Sequence, residues 1–402
     1  MTHAVRTPDG VAAPPRRGPH RSLNALRTVA AVLVVIYHLR TLLFVPEADG
    51  LLNKILYTVT GLGPAAVVVF FVLSGYWVGG SVLSGFRQDR FRWSTYVTAR
   101  LSRLWIVLVP AIALTALLDH LGLALLPHTS IYLGDIAYHH TVPAGDLAGR
   151  LDAGTALGNL AFLQTIALPT YGTNASLWSL AYEAAFYAIF PLALYAWKGH
   201  GLGPRLFNGA LAVAICVLVG PKVLMYLPVW LMGAVVAMFR TRIGAFLDAR
   251  SAAHLATARA GAVVLVAGAM AATHASYSGR NVLLLAGTTT LLLIVLVRDV
   301  AWSGLPGRVL TAVSAYAESS YSLYAIHLPI AAMTAALLTP AVTNRWAPTA
   351  AHWLTLLALT AVLVAIGWAF AWCTERHTDR LRKAADRFIR SGTHRARVQG
   401  PS

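Results

Sequence analysis

The 402-residue chain is 57% hydrophobic and only 12% charged, with a formal net charge of +17 and a mean hydropathy of +0.63. Too little charge remains to cover a soluble surface, and the apolar residues fall in long runs divided by short polar loops, which excludes an ordinary soluble domain. The basic surplus sits at the ends of those runs, where it argues for membrane topology over nucleic-acid binding, and the two cysteines, Cys216 and Cys373, give no sign of a disulfide framework or a thiolate metal site.

The pattern predicts an all-α polytopic membrane protein of about ten transmembrane helices. The expected spans are 23–45, 61–83, 104–125, 176–197, 206–220, 222–239, 258–275, 281–298, 316–338 and 352–373, since about 20 mostly apolar residues cross a bilayer. The fifth and sixth are short and separated only by Gly220 and Pro221. Ala156–Leu168 is apolar but too short to span, and reads as a re-entrant or interfacial helix. The first run follows a Pro- and Arg-rich leader, and its length without a small-residue cleavage site predicts a retained span. The chain thus divides into a basic leader (1–22), a transmembrane domain (23–375) and a basic tail (376–402).

An even number of spans puts both termini on one side. With the N-terminus in the cytoplasm, all lysines and arginines except Arg40, Lys54, Arg150, Lys222, Arg280 and Arg345 fall inside, 26 of 32. That asymmetry predicts cytoplasmic termini and a multi-pass protein of a bacterial plasma membrane. The longest external loop is 126–175. Its adjacent His139 and His140 read as solvated, so no metal site is expected. Asn174-Ala-Ser176 fits a glycosylation pattern that means nothing in a bacterium.

Ionisable groups at membrane depth are costly, about 2.5–3.5 kcal/mol on insertion scales, so they mark interior sites. In "RTVAAVLVVIYH" Arg27 and His38 stand eleven residues apart. On a helix this is about three turns, which puts them on one face roughly 16 Å apart along the axis. Taken alone, Arg27 also reads as a boundary anchor and His38 as a satisfied core histidine. "RLSR" places Arg100 and Arg103 on a common face at the cytoplasmic entry of the third span, a pair suited to a phosphate-bearing ligand or simply to the positive-inside bias. In "NASLWSLAYEAAFYAIFP" Glu183 follows Ser176, Trp178 and Ser179 at about two turns' depth, where it could orient or ionise a histidine. "SSYSLYAIHLPI" carries His327 in mid-span, and "FFVLSGYW" offers Ser74-Gly75 for close helix packing.

These segments, in this order from about residue 22 to Arg376, resemble the acyltransferase-3 family of integral membrane O-acyltransferases. Arg27 and His38 match the family's first-span basic residue, ten residues and histidine. "FFVLSGYW" resembles its second-span segment, "RLSR" its Arg-x-x-Arg, "SLWSLAYEAAFY" its Ser-Leu-Trp-Ser-Leu-x-x-Glu, and "SSYSLYAIHLPI" its late Ser-Tyr-Ser-Leu-Tyr. The usual Glu-Glu is Glu183-Ala184 here, and the usual His-Pro is His327-Leu328-Pro329. The proline expected close after Arg-x-x-Arg is delayed to Pro110, and the Asp-Gly before the first-span arginine is Asn24-Ala25.

The resemblance implies transfer of an acyl group, commonly acetyl, from cytoplasmic acyl-CoA to a carbohydrate hydroxyl, with no metal. Arg27, Arg100 and Arg103 would then hold the donor's phosphates. His38 would act as general base or acyl carrier, with Glu183 fixing its tautomer. Ser176, Trp178, Ser179 and His327 would contact substrate. The expected partners are acyl-CoA, a carbohydrate or glycoconjugate acceptor and the bilayer, with no nucleic acid. An antibiotic-like small molecule is an alternative acceptor. A transporter or flippase for a glycan or lipid-linked sugar is the alternative function, disfavoured because no similar halves or paired broken helices are evident.

Overall fold

The protein was analysed as a computed structural model that describes residues 20–47, 49–298, 304–384 and 387. Most of the basic leader and the end of the basic tail, with Arg6, Arg16, Arg17, Arg390, Arg395 and Arg397, lie outside the described residues.

Fourteen α-helices are described. They are α1 (Arg21–Leu43), α2 (Leu51–Thr60), α3 (Gly63–Ser74), α4 (Gly80–Arg87), α5 (Trp93–Leu125), α6 (Ala153–Leu160), α7 (Trp178–Lys198), α8 (Leu202–Leu224), α9 (Leu227–Asp248), α10 (Ala252–Ala275), α11 (Gly279–Leu296), α12 (Gly304–Tyr316), α13 (Ser320–Leu338) and α14 (Ala350–Cys373). No strands are described. Ten helical segments are long and apolar enough to cross a membrane, as the hydropathy pattern predicts. A helix pairs most of its backbone groups internally, which a bilayer interior demands.

Several boundaries differ from expectation. The third span runs as a continuous helix from Trp93, eleven residues before its predicted start, so Arg100 and Arg103 lie inside α5. The break expected at Gly220-Pro221 is a kink within α8: Gly220 has φ +72°, a left-handed conformation that glycine adopts without a Cβ clash, and the chain turns only at Met225–Tyr226. Of Ala156–Leu168, only the part up to Leu160 is helical, in α6. The rest is a loop folded into the protein.

That loop is held by buried polar groups, as backbone at membrane depth must be. Asp119 of α5, fully buried, accepts hydrogen bonds from Thr173 N (2.7 Å) and Thr173 Oγ1 (2.9 Å). Asn174 Nδ2 donates to Thr115 Oγ1 (3.1 Å) and to the Ala325 carbonyl of α13 (2.8 Å). Gln164 Nε2 donates to the Leu177 carbonyl (2.9 Å). The segment leading into α7 is thereby pinned between α5 and α13.

Helix α1 sits at the centre, against α3, α12, α13 and α14. Every residue of α13 from Ser322 to Pro329 is buried. Between α3 and α4 the chain makes a π-helical turn, Gly75–Gly79, of the kind that often marks functional positions. Here it lies against α9 with two glycines in reciprocal contact: a Cβ on Gly75 would strike the Trp230 carbonyl, and one on Gly233 the Val72 carbonyl. The predicted close approach at Ser74-Gly75 is therefore present, through Gly75.

Candidate active site

At the end of the bundle that holds the start of α1, helices α1, α3, α5, α7 and α13 enclose a cavity of about 440 Å³. Arg27, Arg100, Arg103 and Glu183 line it, with Ser74 and Tyr187 between them. Tyr187 OH donates to Glu183 Oε2 (3.1 Å) and shares a hydrogen bond with Ser74 Oγ (3.1 Å), which also accepts from Trp230 Nε1 (3.2 Å). Glu183 shares the cavity wall with the three guanidiniums. Glu375 is held by the Ser322 N–H (2.9 Å) and Ser322 Oγ (2.7 Å) at the start of α13. Arg100 stacks over Tyr96, and its buried Nε has no hydrogen-bond partner. An unsatisfied cationic donor beside a cavity fits an anionic oxygen.

The inner wall of the cavity is Tyr324. Its hydroxyl donates to the Ser176 carbonyl (2.9 Å) and lies 2.7 Å from Ser179 Oγ. Beyond Tyr324, whose ring centroid is 5.8 Å from that of His327, stands a histidine pair. His38 Nδ1 lies 2.7 Å from His327 Nε2, and the two rings stack at 4.9 Å. His327 Nδ1 faces the carbonyls of Tyr324 (2.8 Å) and Leu323 (3.2 Å). Carbonyls only accept, so Nδ1 of His327 carries the proton, and in the neutral ring Nε2 offers a lone pair. His38 must then donate from Nδ1. The lone pair of His38 is left on Nε2, ready to take a proton or attack a carbonyl.

These residues are the ones on which the sequence resemblance rests, gathered around one cavity and one imidazole pair. The family model for the acyltransferase domain matches residues 20–372. The chain belongs to the acyltransferase-3 family. It is a multi-pass membrane acyltransferase. Among curated proteins and solved structures, none matches it.

Within this acyltransferase the expected residues separate into three groups. Arg27, Arg100, Arg103, Glu183 and Ser179 line the cavity. His38 and His327 pair, both facing the α1–α13 contact, as the shared face of Arg27 and His38 requires. Ser176 and Trp178 line neither. Ser176 is buried, donating to Asn174 Oδ1 (2.7 Å), and Trp178 packs on Phe71, Tyr182 and Tyr226. They hold the loop and the start of α7.

One coupling is corrected. Glu183 was expected to orient His38, but the imidazole partner of His38 is His327, and Glu183 bonds to Tyr187 among the arginines. The expected depth of Glu183 assumed that the fourth span begins at the membrane surface. The buried loop before α7 moves that start inside the protein. Ser74, Tyr187, Tyr324 and Glu375 were missed as site residues. The signal for Glu375 was present, as a carboxylate directly before the basic tail. Ser74 was hidden behind the packing role of its neighbour Gly75.

Proposed function

We propose that this acyltransferase moves an acyl group, acetyl being the expected one, from a cytoplasmic acyl-CoA to a hydroxyl of a carbohydrate or glycosylated acceptor. The observation that carries this reading is a single cavity with Arg27, Arg100 and Arg103 at one end of the bundle and the His38–His327 pair behind its inner wall. The positive-inside bias assigns the arginine end to the cytoplasm of a bacterial plasma membrane, where acyl-CoA is found. Guanidiniums suit the donor's phosphates by charge and by their forked geometry. Tyr324 then stands at the boundary where the thioester, coming from the donor side, and the acceptor, coming from the histidine side, would meet.

The chemistry follows from the tautomer. His38 Nε2 removes the proton of the acceptor hydroxyl as its oxygen attacks the thioester carbonyl. The carbon–sulfur bond breaks, and the proton passes to the departing thiolate, leaving an ester and free CoA. His327 accepts the His38 Nδ1–H throughout and stabilises the imidazolium, the part given to a carboxylate in a catalytic triad.

The test is mass spectrometry of surface glycans and secreted metabolites from three strains, with the gene present, deleted, and restored as His38→Ala. The expected result is one acyl-sized mass on a carbohydrate in the first strain, absent from the other two. An acyl-sized mass confined to a non-carbohydrate product would overturn the acceptor assignment. No acyl-sized difference on any product would remove the acyl-transfer reading for these substrates and favour movement of an unmodified glycan.

A further inference from the structure

A second cavity, also about 440 Å³, opens between α4 and α9. Trp77 of the π turn lines both cavities, and the Arg27 guanidinium lies 6.0 Å over its ring. Along one helical run the wall proceeds from Ser74 in the first cavity, through Trp77, to Ser81, Ser84 and Arg87 in the second. At 1.5 Å per residue this run is about 20 Å long. The two cavities lie on either side of the same indole.

Their charges differ. The first cavity has Glu183 among its arginines. The second is lined by Arg87, Arg240 and His20, with no carboxylate in its wall among the described residues. Arg87 is fixed in place by a hydrogen bond from Nη2 to the Met238 carbonyl (3.0 Å), which leaves its other N–H groups for a ligand. Hydroxyls of Ser81, Ser84 and Thr241 and the faces of Tyr76 and Trp77 complete the wall. Uncompensated guanidiniums beside aromatic faces and hydroxyls are the complement of a phosphorylated nucleoside.

We propose that the α4–α9 cavity seats the phosphorylated nucleotide end of the acyl donor, while the acyl end enters the arginine cavity past Trp77. This rests on the acyl-CoA reading above and adds to it a specific seat. A thioester donor of this type is long, with its acyl group at one end and its nucleotide at the other. Two cavities that share Trp77 offer each end a different chemistry. The nucleotide end meets uncompensated positive charge at the mouth, and the acyl end meets the inner wall at Tyr324.

The test measures binding of adenosine 3′,5′-bisphosphate and of CoA to the full chain in nanodiscs of phosphatidylcholine alone, so that it does not depend on turnover. The wild-type protein is expected to bind both. Arg240→Glu, which keeps the Arg87–Met238 tether, and the double variant Arg87→Glu/Arg240→Glu are expected to weaken both by about tenfold or more, as loss of a charge-assisted contact does. Retained nucleotide affinity in both variants, or no nucleotide binding by the wild type, overturns the assignment. Nanodiscs with phosphatidylglycerol separate the two sources of phosphate. An anionic headgroup that occupies the site and excludes nucleotide overturns it as well. If the nucleotide binds at this site but no acyl group leaves acetyl-CoA, the functional proposal falls and the site stands. If acetyl-CoA is consumed with the same KM in both variants, the site falls and the function stands.

Discussion

His38 Nδ1 and His327 Nε2 meet at 2.7 Å although the residues are 289 positions apart. The backbone carbonyls behind His327 decide which ring donates. The pair therefore has a direction, from His38 to His327, and a free Nε2 on His38. His38→Ala is expected to lower acyl transfer by about 10²–10⁴-fold. His327→Phe removes the acceptor and is expected to cost at least about tenfold. His327→Gln, whose amide oxygen can accept from His38, is expected to recover much of that loss. Nitrogen-15 spectra of histidine-labelled protein, assigned with His38→Ala, check the tautomer directly. A His38 signal protonated on Nε2 in the wild type would contradict the direction.

In the arginine cavity, each guanidinium is expected to act on donor binding. Arg103→Ala and Arg100→Lys should each raise KM for acyl-CoA by about tenfold, with a smaller change in kcat. Lysine at position 100 keeps the charge but loses the fork and the stack on Tyr96. Initial rates over a range of donor concentration separate the two parameters, and an unchanged KM in both variants would remove the cavity from donor binding.

Gly75→Ala and Gly233→Ala are each expected to lower stability by about 1–3 kcal/mol, because a methyl group at either position meets a backbone carbonyl that a rotamer change cannot clear. The double variant should cost less than the sum, since both substitutions push apart the same pair of segments. Thermal unfolding of the purified protein in detergent reads both effects.

Asp119 ties Thr173 to α5 with two hydrogen bonds. Asp119→Ala leaves the Thr173 N–H and hydroxyl buried without an acceptor and is expected to cost about 1–3 kcal/mol or more. The loss should concentrate in the loop, as faster hydrogen exchange over residues 170–177 than over α13. Uniform loosening of the whole bundle would contradict the local role.

Outside the spans, Asp152 caps α6. Its carboxylate accepts from Thr155 N (3.0 Å) and from Thr155 Oγ1, and the Thr155 hydrogen bonds hold its pKa below the usual aspartate value. With the folded value lowered, the cap is fully present above the unfolded pKa and is lost as pH falls through the folded one. Protection of the Thr155 amide should therefore drop on acidification below about pH 4. Asp152→Asn should keep the cap and flatten that dependence.

The number of spans and the arginine group were legible because each is a local property. Hydropathy runs report helices one at a time, and Arg27, Arg100 and Arg103 stand out against apolar surroundings. The pairing of His38 with His327 was not legible, since nothing in either helix names its neighbour. The place of Glu183 was misjudged for a related reason: its depth depends on a loop whose buried course is set by Asp119, Asn174 and Gln164, polar residues whose partners a hydropathy reading does not name. The kink at Gly220 shows the same limit, because a Gly-Pro pair marks a break in direction without saying whether the helix ends.

Tyr324 carries a consequence beyond its hydrogen bonds. It closes the inner end of the arginine cavity, and its ring lies against His327. An enzyme proposed to be entered from both faces of a bilayer risks becoming an anion channel, with guanidiniums at its mouth and imidazoles along the way. On that proposal one phenol, fastened to Ser176 and Ser179, stands between the donor side and the acceptor side. On this view its removal would show first as leak: chloride-loaded vesicles carrying Tyr324→Ala would discharge, while those carrying the wild-type protein held their gradient.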